Sequence, residues 1–504
     1  MRRRLFLQLS PGALFAQSWK GAATMKAGFA DTDITPEIGM EQPGGYGKSF
    51  HRALHDPCKA RAAVFDDGRG KVALVGLDAL IVPRHLVLAV RRDIESKCGI
   101  PGGRVMIGAS HSHSSGPLGM IQPGEFDGAP EWIRKLAYEQ SSMADAKYLK
   151  LTHERIVEAV VKADAARSDL MLGVGSGVED KAAFNRRFRM KNGRTFTHPG
   201  QGNLDIVKAA GPIDPEVGVI GAWDSGGKLR GVVVNYACHA TTSPGGISAN
   251  WIYNLERVIR GVFGEQVVVV FLQGASGDIT QVDNLNPHVQ PNGEESAWVV
   301  GGRVGAEATK VLFSMHRGSL APVDAAMKVL RIPRRKPSSA RLKEAIDLAR
   351  KDPAKDNIDR TEWTFAKETV MLDWMIRQEP AVEVEVQAIQ VGPSVFVSNP
   401  AEYFVEFGLD IKAKSRFPFT YPVELANGCV GYVPTEEALS PSGGGYETRL
   451  TAYSNLVPTA GRDIANTGIE LANKLTPGPV PKTAPFTERR PAWSYGDVPA
   501  QPED

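Results

Sequence analysis

An α/β fold of mixed β-sheets flanked by helices is what the sequence predicts, and three observations carry that expectation. From Lys71 onward, apolar runs of strand length alternate with segments of helical period. The run 267–272 is valine-rich and bounded by turn residues, as in a strand buried on both faces. Polar stretches bearing histidine directly follow two of these runs, and strand-end loops are where α/β proteins place their chemistry.

Taken in order, residues 72–77 read as a buried strand and 84–97 as a helix with Leu86, Val87, Val90 and Ile94 on one face. The short strand 104–109 runs straight into Ser110-His111-Ser112-His113-Ser114-Ser115-Gly116. Residues 133–167 are largely helical in pattern, and strands follow at 170–174, 217–222, 230–237 and 267–272. The many charges and helix formers between 337 and 379 predict an exposed helical excursion with a solvated surface. Strands resume at 382–391 and 395–398, and a helix begins near Ala401. Residues 475–504, rich in proline, read as an extended arm.

At the other end, Arg2, Arg3 and Arg4 precede an apolar stretch from Leu5 to Ala16 that suits a signal-peptide core and is too short to span a bilayer. Arg3-Arg4-Leu5-Phe6-Leu7-Gln8 is also similar to a twin-arginine export motif. The expectation is a leader over 1–24, cleaved close to Ala16, a catalytic domain over 25–474, and an exported product, periplasmic or secreted.

Composition narrows the function. The chain has 504 residues, and its 59 basic and 57 acidic residues leave a formal charge of +2, far from the basic excess that draws a protein onto nucleic acid. No later apolar run has transmembrane length, so the mature protein is expected to be soluble, which leaves room for transient contact at a membrane surface. Cys58, Cys98, Cys238 and Cys429 lie far apart with no CxxC pair, which argues against a cysteine zinc knuckle and allows at most one or two disulfides.

His111 and His113 flank a serine at one strand end, and His239 stands at another, before Ala240-Thr241-Thr242-Ser243. A lone His-x-His is more often structural than ligating. Histidines delivered by two strands change that balance, because imidazole is a common zinc ligand and a catalytic site adds an anionic oxygen while keeping one position for water.

Further segments join these in an ordered series. Gly108-Ala109-Ser110-His111-Ser112-His113-Ser114-Ser115-Gly116-Pro117 resembles the T-H-T-H-S-G-P segment of the neutral ceramidase family, with one extra residue before Gly-Pro. Phe184-Asn185-Arg186 resembles its Asn-Arg motif, and Tyr236-Ala237-Cys238-His239-Ala240 its second histidine motif. Gly277-Asp278-Ile279-Thr280 is similar to its Gly-Asp-Val-Ser segment, with Thr280 in place of serine and Gln281 in place of proline. Asn399-Pro400-Ala401-Glu402 resembles its Pro-Gly-Glu segment, with alanine where glycine is usual. Asn427 to Thr435, followed by Gly445-Tyr446-Glu447, resembles its tyrosine segment. Gly44-Gly45-Tyr46-Gly47 and His55-Asp56-Pro57 match an N-terminal part of the pattern.

The resemblance implies a neutral ceramidase-like catalytic domain, without the family's C-terminal immunoglobulin-like domain, in which His111, His239, Glu402 and Tyr432 hold one Zn2+. It implies that His113 acts as a base or donor beside a zinc-activated water, that Arg186 and Tyr446 bind substrate or oxyanion, and that the Thr280 hydroxyl orients the water or donates to the oxyanion. The expected activity is hydrolysis of an N-acyl amide in a small molecule or lipid. The alternatives are a zinc-dependent esterase or deacetylase acting on another acyl compound, and a non-catalytic exported binding protein, against which the retained ligand set argues.

Overall fold

A computed structural model describes residues 25–482, 492–496 and 499–502. The expected leader over 1–24 and part of the proline-rich arm lie outside the described residues. The chain runs β1 (Met25–Asp33), β2 (Lys59–Asp66), β3 (Lys71–Leu77), α1 (Arg84–Cys98), β4 (Val105–Ala109), α2 (Glu131–Tyr138), α3 (Ala146–Ala165) and β5 (Ser168–Val178). Four short strands follow, β6 (Phe184–Asn185), β7 (Arg187–Met190), β8 (Thr195–Thr197) and β9 (Ile206–Ala209), then β10 (Glu216–Trp223), β11 (Leu229–Tyr236), α4 (Trp251–Phe263), β12 (Val268–Gln273), β13 (Ile279–Thr280) and α5 (Glu294–Ser314). The last part is β14 (Val323–Pro333), α6 (Ser339–Ala349), α7 (Arg360–Gln378), β15 (Ala381–Val391), β16 (Ser394–Ser398), β17 (Glu402–Tyr403), α8 (Val405–Lys414), β18 (Phe419–Val423), β19 (Tyr432–Val433) and α9 (Ala460–Lys474).

The largest sheet has the order β12-β11-β10-β5-β1-β2-β3-β4. Its inner pairs are antiparallel, whereas the pair at each edge, β11 with β12 and β3 with β4, is parallel. The sheet coils until β12 packs across β2, β3 and β4. Gly76 makes this closure possible, because a Cβ there would stand 2.2 Å from the Phe271 carbonyl oxygen. A second sheet, β14-β15-β16-β18, also ends on a parallel pair, β16 with β18. The two sheets share a core in which Phe396, Tyr421 and Val423 meet Leu74, Met106 and Leu272.

Strands of a parallel pair share their carboxyl ends, so three such pairs aim three sets of loops at one place. Backbone hydrogen bonds stitch those loops together: Ala109 N donates to Leu425 O (3.1 Å), His113 N to Ala240 O (3.1 Å) and Glu424 N to Gln273 O (3.0 Å).

Every strand expected from Lys71 onward is present, and the helix over 84–97 is α1. The stretch 133–167 is largely helical as expected, in two helices, and the Asp145 side chain caps the second by accepting from Tyr148 N. Two local expectations are corrected. The excursion over 337–379 is not merely a solvated surface, since α7 buries Trp363, Val370, Met371 and Leu372 together with Lys367 and Glu368. The helix expected near Ala401 starts at Val405, because Glu402 and Tyr403 pair with Tyr432 and Val433 instead. All four cysteines are free. No described helix is long and apolar enough to cross a membrane.

Candidate metal centre

The cluster is built from strand ends. His111 stands two residues beyond β4, His239 three beyond β11, and Glu402 and Tyr432 face each other in the β17–β19 pair. The backbone at His111 is left-handed, with φ of 61°, a conformation that costs a non-glycine residue roughly 1–3 kcal/mol. It is held by Ser110 N donating to Leu77 O (2.8 Å) and Ser112 N to Ala79 O (3.0 Å).

Carbonyl partners fix the tautomers of two imidazoles. His111 Nδ1 lies 3.0 Å from Leu80 O, and His239 Nδ1 lies 2.7 Å from Ser276 O and 3.0 Å from Ile279 O. A carbonyl only accepts, so each Nδ1 carries the proton and each Nε2 turns its lone pair inward. Both Nε2 atoms stand 3.2 Å from Glu402 Oε2, and that buried oxygen has no hydrogen-bond partner among the described residues. Two imidazole lone pairs and a carboxylate oxygen thus converge, with Arg186 Nη1 also 3.2 Å from His239 Nε2 and donating to it, and this donor set of two imidazoles and a carboxylate fits a zinc ion. His113 Nε2 is 3.2 Å from His111 Nε2, and ring nitrogens of the three histidines lie within 4.8 Å of one another.

The electrostatics agree with a cation-seeking cluster. Burial opposes a charge on His111, but Glu402 outweighs it and raises the pKa. Burial, Arg186 and His111 push His239 down to about 3, and burial with the other two imidazoles holds His113 well below the usual histidine range. Burial would raise Glu402, yet His111 and His239 pull it well below the usual carboxylate range.

Arg186 is buried and fully engaged. Its Nε donates to Glu447 Oε1 (2.8 Å), its Nη2 to Gly277 O (2.7 Å) and Tyr432 Oη (3.1 Å), and its Nη1 lies 3.2 Å from His239 Nε2. Tyr432 Oη and Tyr446 Oη are 2.5 Å apart. The cluster borders a small cavity of about 50 Å³ lined also by Tyr46, Met120 and Gly44. Gly44 has φ of 110°, and a Cβ on it would stand 2.3 Å from His113 Nδ1. His55 and Asp56 do different work: the Asp56 carboxylate contacts His55 Nδ1 and accepts from Ser248 Oγ and Ala249 N, anchoring that loop.

Seven of the eight residues singled out from sequence therefore meet in one connected cluster. The eighth, Thr280, is buried on β13, and its hydroxyl donates to Gln281 Oε1 (2.9 Å). It is joined to the cluster through its neighbour Ile279, whose carbonyl accepts a hydrogen bond from His239 Nδ1 (3.0 Å). Asp278 explains why the Asn-Arg and Gly-Asp segments occur together: its carboxylate accepts from Asn185 Nδ2 (2.8 Å) and from Val405 N at the start of α8 (2.9 Å).

Two functional carboxylates had no role assigned from sequence. Glu424 is buried, accepts from Ser276 Oγ (2.5 Å) and Tyr403 N (2.7 Å), and is pushed up to about 8 by burial. It braces the turn whose carbonyl orients His239. Glu447 holds Arg186 and accepts from Thr197 Oγ1 (2.6 Å). The available signals were a carboxylate directly after the 419–423 apolar run and one directly after Tyr446.

No family model matches this chain, and no curated protein matches its sequence. Among solved structures it is similar to neutral ceramidase from Pseudomonas aeruginosa, with a TM-score of 0.65 and 19% identity over 92% of this chain and 77% of that one. A ceramidase structure complexed with C2 gives a TM-score of 0.64 and 18% identity over 92% of this chain and 78% of that one. The chain has the neutral ceramidase fold, mixed sheets with flanking helices.

Proposed function

We propose that the chain is an exported, zinc-dependent hydrolase that cleaves N-acyl amide bonds in the manner of a ceramidase. The observation that carries this reading is the convergence of His111 Nε2, His239 Nε2 and the unpartnered Glu402 Oε2 beside a cavity. These three, with the Tyr432 phenol oxygen, would hold the metal. When bound, zinc supplies a Lewis acid that polarises the acyl carbonyl and acidifies water.

The remaining residues divide the other tasks. His113, kept neutral by burial and its neighbours, takes a proton from the attacking water and returns it to the leaving nitrogen as the C–N bond breaks. The products are a carboxylic acid and an amine. The Tyr446 hydroxyl donates to the developing oxyanion. Arg186, spent on Glu447, Gly277 and Tyr432, holds the two phenols in place and supplies fixed positive charge. Thr280 positions the His239 loop through Gln281, which also accepts from Thr241 Oγ1 (2.8 Å).

Matched amide and ester substrates given to purified protein, before and after chelation, test the reading. Amide cleavage that chelation abolishes and zinc restores is the expected result. Cleavage of esters alone would move the chain to the esterase reading, and full activity after the metal is removed would overturn zinc dependence.

A further inference from the structure

His113 is held from outside the metal cluster. A hairpin over 40–51 is closed by Gln42 N donating to Ser49 O (2.8 Å) and His51 N to Met40 O (3.0 Å). Gln42 Nε2 donates to the His113 carbonyl (3.0 Å), and His51 Nε2 contacts Ser115 O (2.8 Å), so the hairpin stem lies along the loop that carries the histidines. Its tip, Gly44-Gly45-Tyr46-Gly47, closes over the His113 ring, with Gly44 so near that a Cβ would stand 2.3 Å from Nδ1. From 43 to 48 the tip makes no backbone–backbone hydrogen bond among the described residues. Three glycines open many conformations to such a segment, so its place over the imidazole has to be fixed from elsewhere.

The fixing comes from α7. Lys367 is 1% exposed, and its Nζ donates to Tyr46 O (2.6 Å), Ser141 Oγ (2.6 Å) and Gln140 O (3.3 Å), with Glu368 Oε1 3.2 Å away as the counter-charge. Phe365, on the same helix, meets the Tyr46 ring edge-on at 5.7 Å between centroids. Withdrawing an ammonium from water is costly even when it is paired, and a methionine would occupy similar space without that cost. A methionine could not hold a carbonyl. Of the groups bonded to Lys367, Tyr46 O belongs to the segment that touches the imidazole.

Resting on the amide-hydrolase reading, we propose that Lys367 is a positioning residue for catalysis: through Tyr46 it straps the glycine tip against His113 and keeps that imidazole aimed at the reacting water. The helical excursion over 337–379 thus serves the reaction without touching substrate or metal.

The test is a double-mutant cycle on zinc-loaded protein. Lys367→Met should keep its zinc and lower kcat roughly 10-fold to 100-fold with a much smaller change in KM, the scale of a reacting group misplaced by about 1 Å. In a His113→Ala background the same substitution should cost about 3-fold or less, because the group it positions is gone. Hydrogen exchange should quicken in peptides spanning 43–48. Gln42→Leu, on the half-buried stem, loses the bond to the His113 carbonyl and should show the same dependence on His113, which keeps the strap testable if Lys367→Met does not fold. Equal losses with and without His113, unchanged kcat in Lys367→Met, or unchanged exchange in the tip would make Lys367 an anchor of the fold alone and overturn the proposal. Quickened exchange in Lys367→Met, with no amide cleaved even by the parent protein, would keep the strap and overturn the reaction assigned to it.

Discussion

His111 and His113 are two residues apart, yet their surroundings differ, and the proposed tasks differ with them. His111 Nδ1 is committed to the Leu80 carbonyl, which leaves Nε2 for Glu402 and a metal, whereas His113 lies against Gly44. His111→Ala should therefore lose most bound zinc and nearly all activity. His113→Ala should keep the zinc and lose roughly 10²-fold to 10⁴-fold in kcat, the range for a general acid–base. Elemental analysis beside kinetics checks both, and zinc lost from His113→Ala but kept by His111→Ala would reverse the assignment. Gly44→Ala should behave like a milder His113 variant, retaining zinc while kcat falls, because the added Cβ displaces the imidazole. Thr280→Ser should be tolerated, and Thr280→Ala should lower kcat by less than the roughly 10²-fold expected for a lost oxyanion donor, because its hydroxyl acts through Gln281 on the His239 loop. The histidines, Glu402 and Tyr432 were legible in the sequence because each sits in a motif with a recognisable setting. Glu424 and Glu447 were not, since a carboxylate reads as a surface charge until the fold shows it buried.

At the scale of elements, the site depends on how tightly strands and helices approach one another. Eight strands from 72–77 onward were legible through their apolar runs, but β14 and β18 were missed, as were β1 and β2, whose cores are built largely from alanine. The structure supplies the reason: α3 lies so close that a Cβ on Gly28 would stand 2.0 Å from the Ala163 carbonyl oxygen, and Ala60 and Ala62 face the same helix layer. Packing selected small residues there against strand propensity. A buried ionic clamp completes this region, with Arg61 on β2 donating to Asp78 Oδ2 (2.6 Å) and Glu256 Oε2 on α4 (2.5 Å). Arg61→Ala should cost about 3–5 kcal/mol by leaving the Asp78 carboxylate buried without its charged partner, while Glu256 keeps Lys59 and Arg260. Although burial opposes it, Arg61 with Lys59 and Arg260 lowers Glu256 to about 2, against 4.5 ordinarily. Its stabilising contribution is thus complete above the ordinary value and is lost as pH falls towards about 2. Urea midpoints measured at neutral pH and near pH 3 should show Glu256→Gln destabilising the protein more at the higher pH.

For the whole molecule, the three parallel strand pairs explain how segments from Gly44 to Glu447 reach one cavity. The α/β class was legible from the alternation of elements, but the coiling that brings β12 against β3 depends on a backbone contact at Gly76 that no periodicity reports. These apolar cores contain none of the four proposed ligands, so the chain is expected to fold without zinc, and bound zinc should stabilise the folded state by linkage, on the order of 4 kcal/mol when free zinc is 1,000 times its Kd. Chelation should lower Tm without abolishing cooperative unfolding, and zinc should restore it. The central claim is the ligand set itself, and anomalous diffraction from crystals of the zinc-loaded protein, recorded on both sides of the zinc absorption edge, tests it most directly. One strong peak is expected about 2.0–2.2 Å from His111 Nε2, His239 Nε2 and a Glu402 oxygen, with the Tyr432 oxygen as the fourth protein ligand. A peak coordinated by His113 in place of His111, or no peak among these side chains, would contradict it.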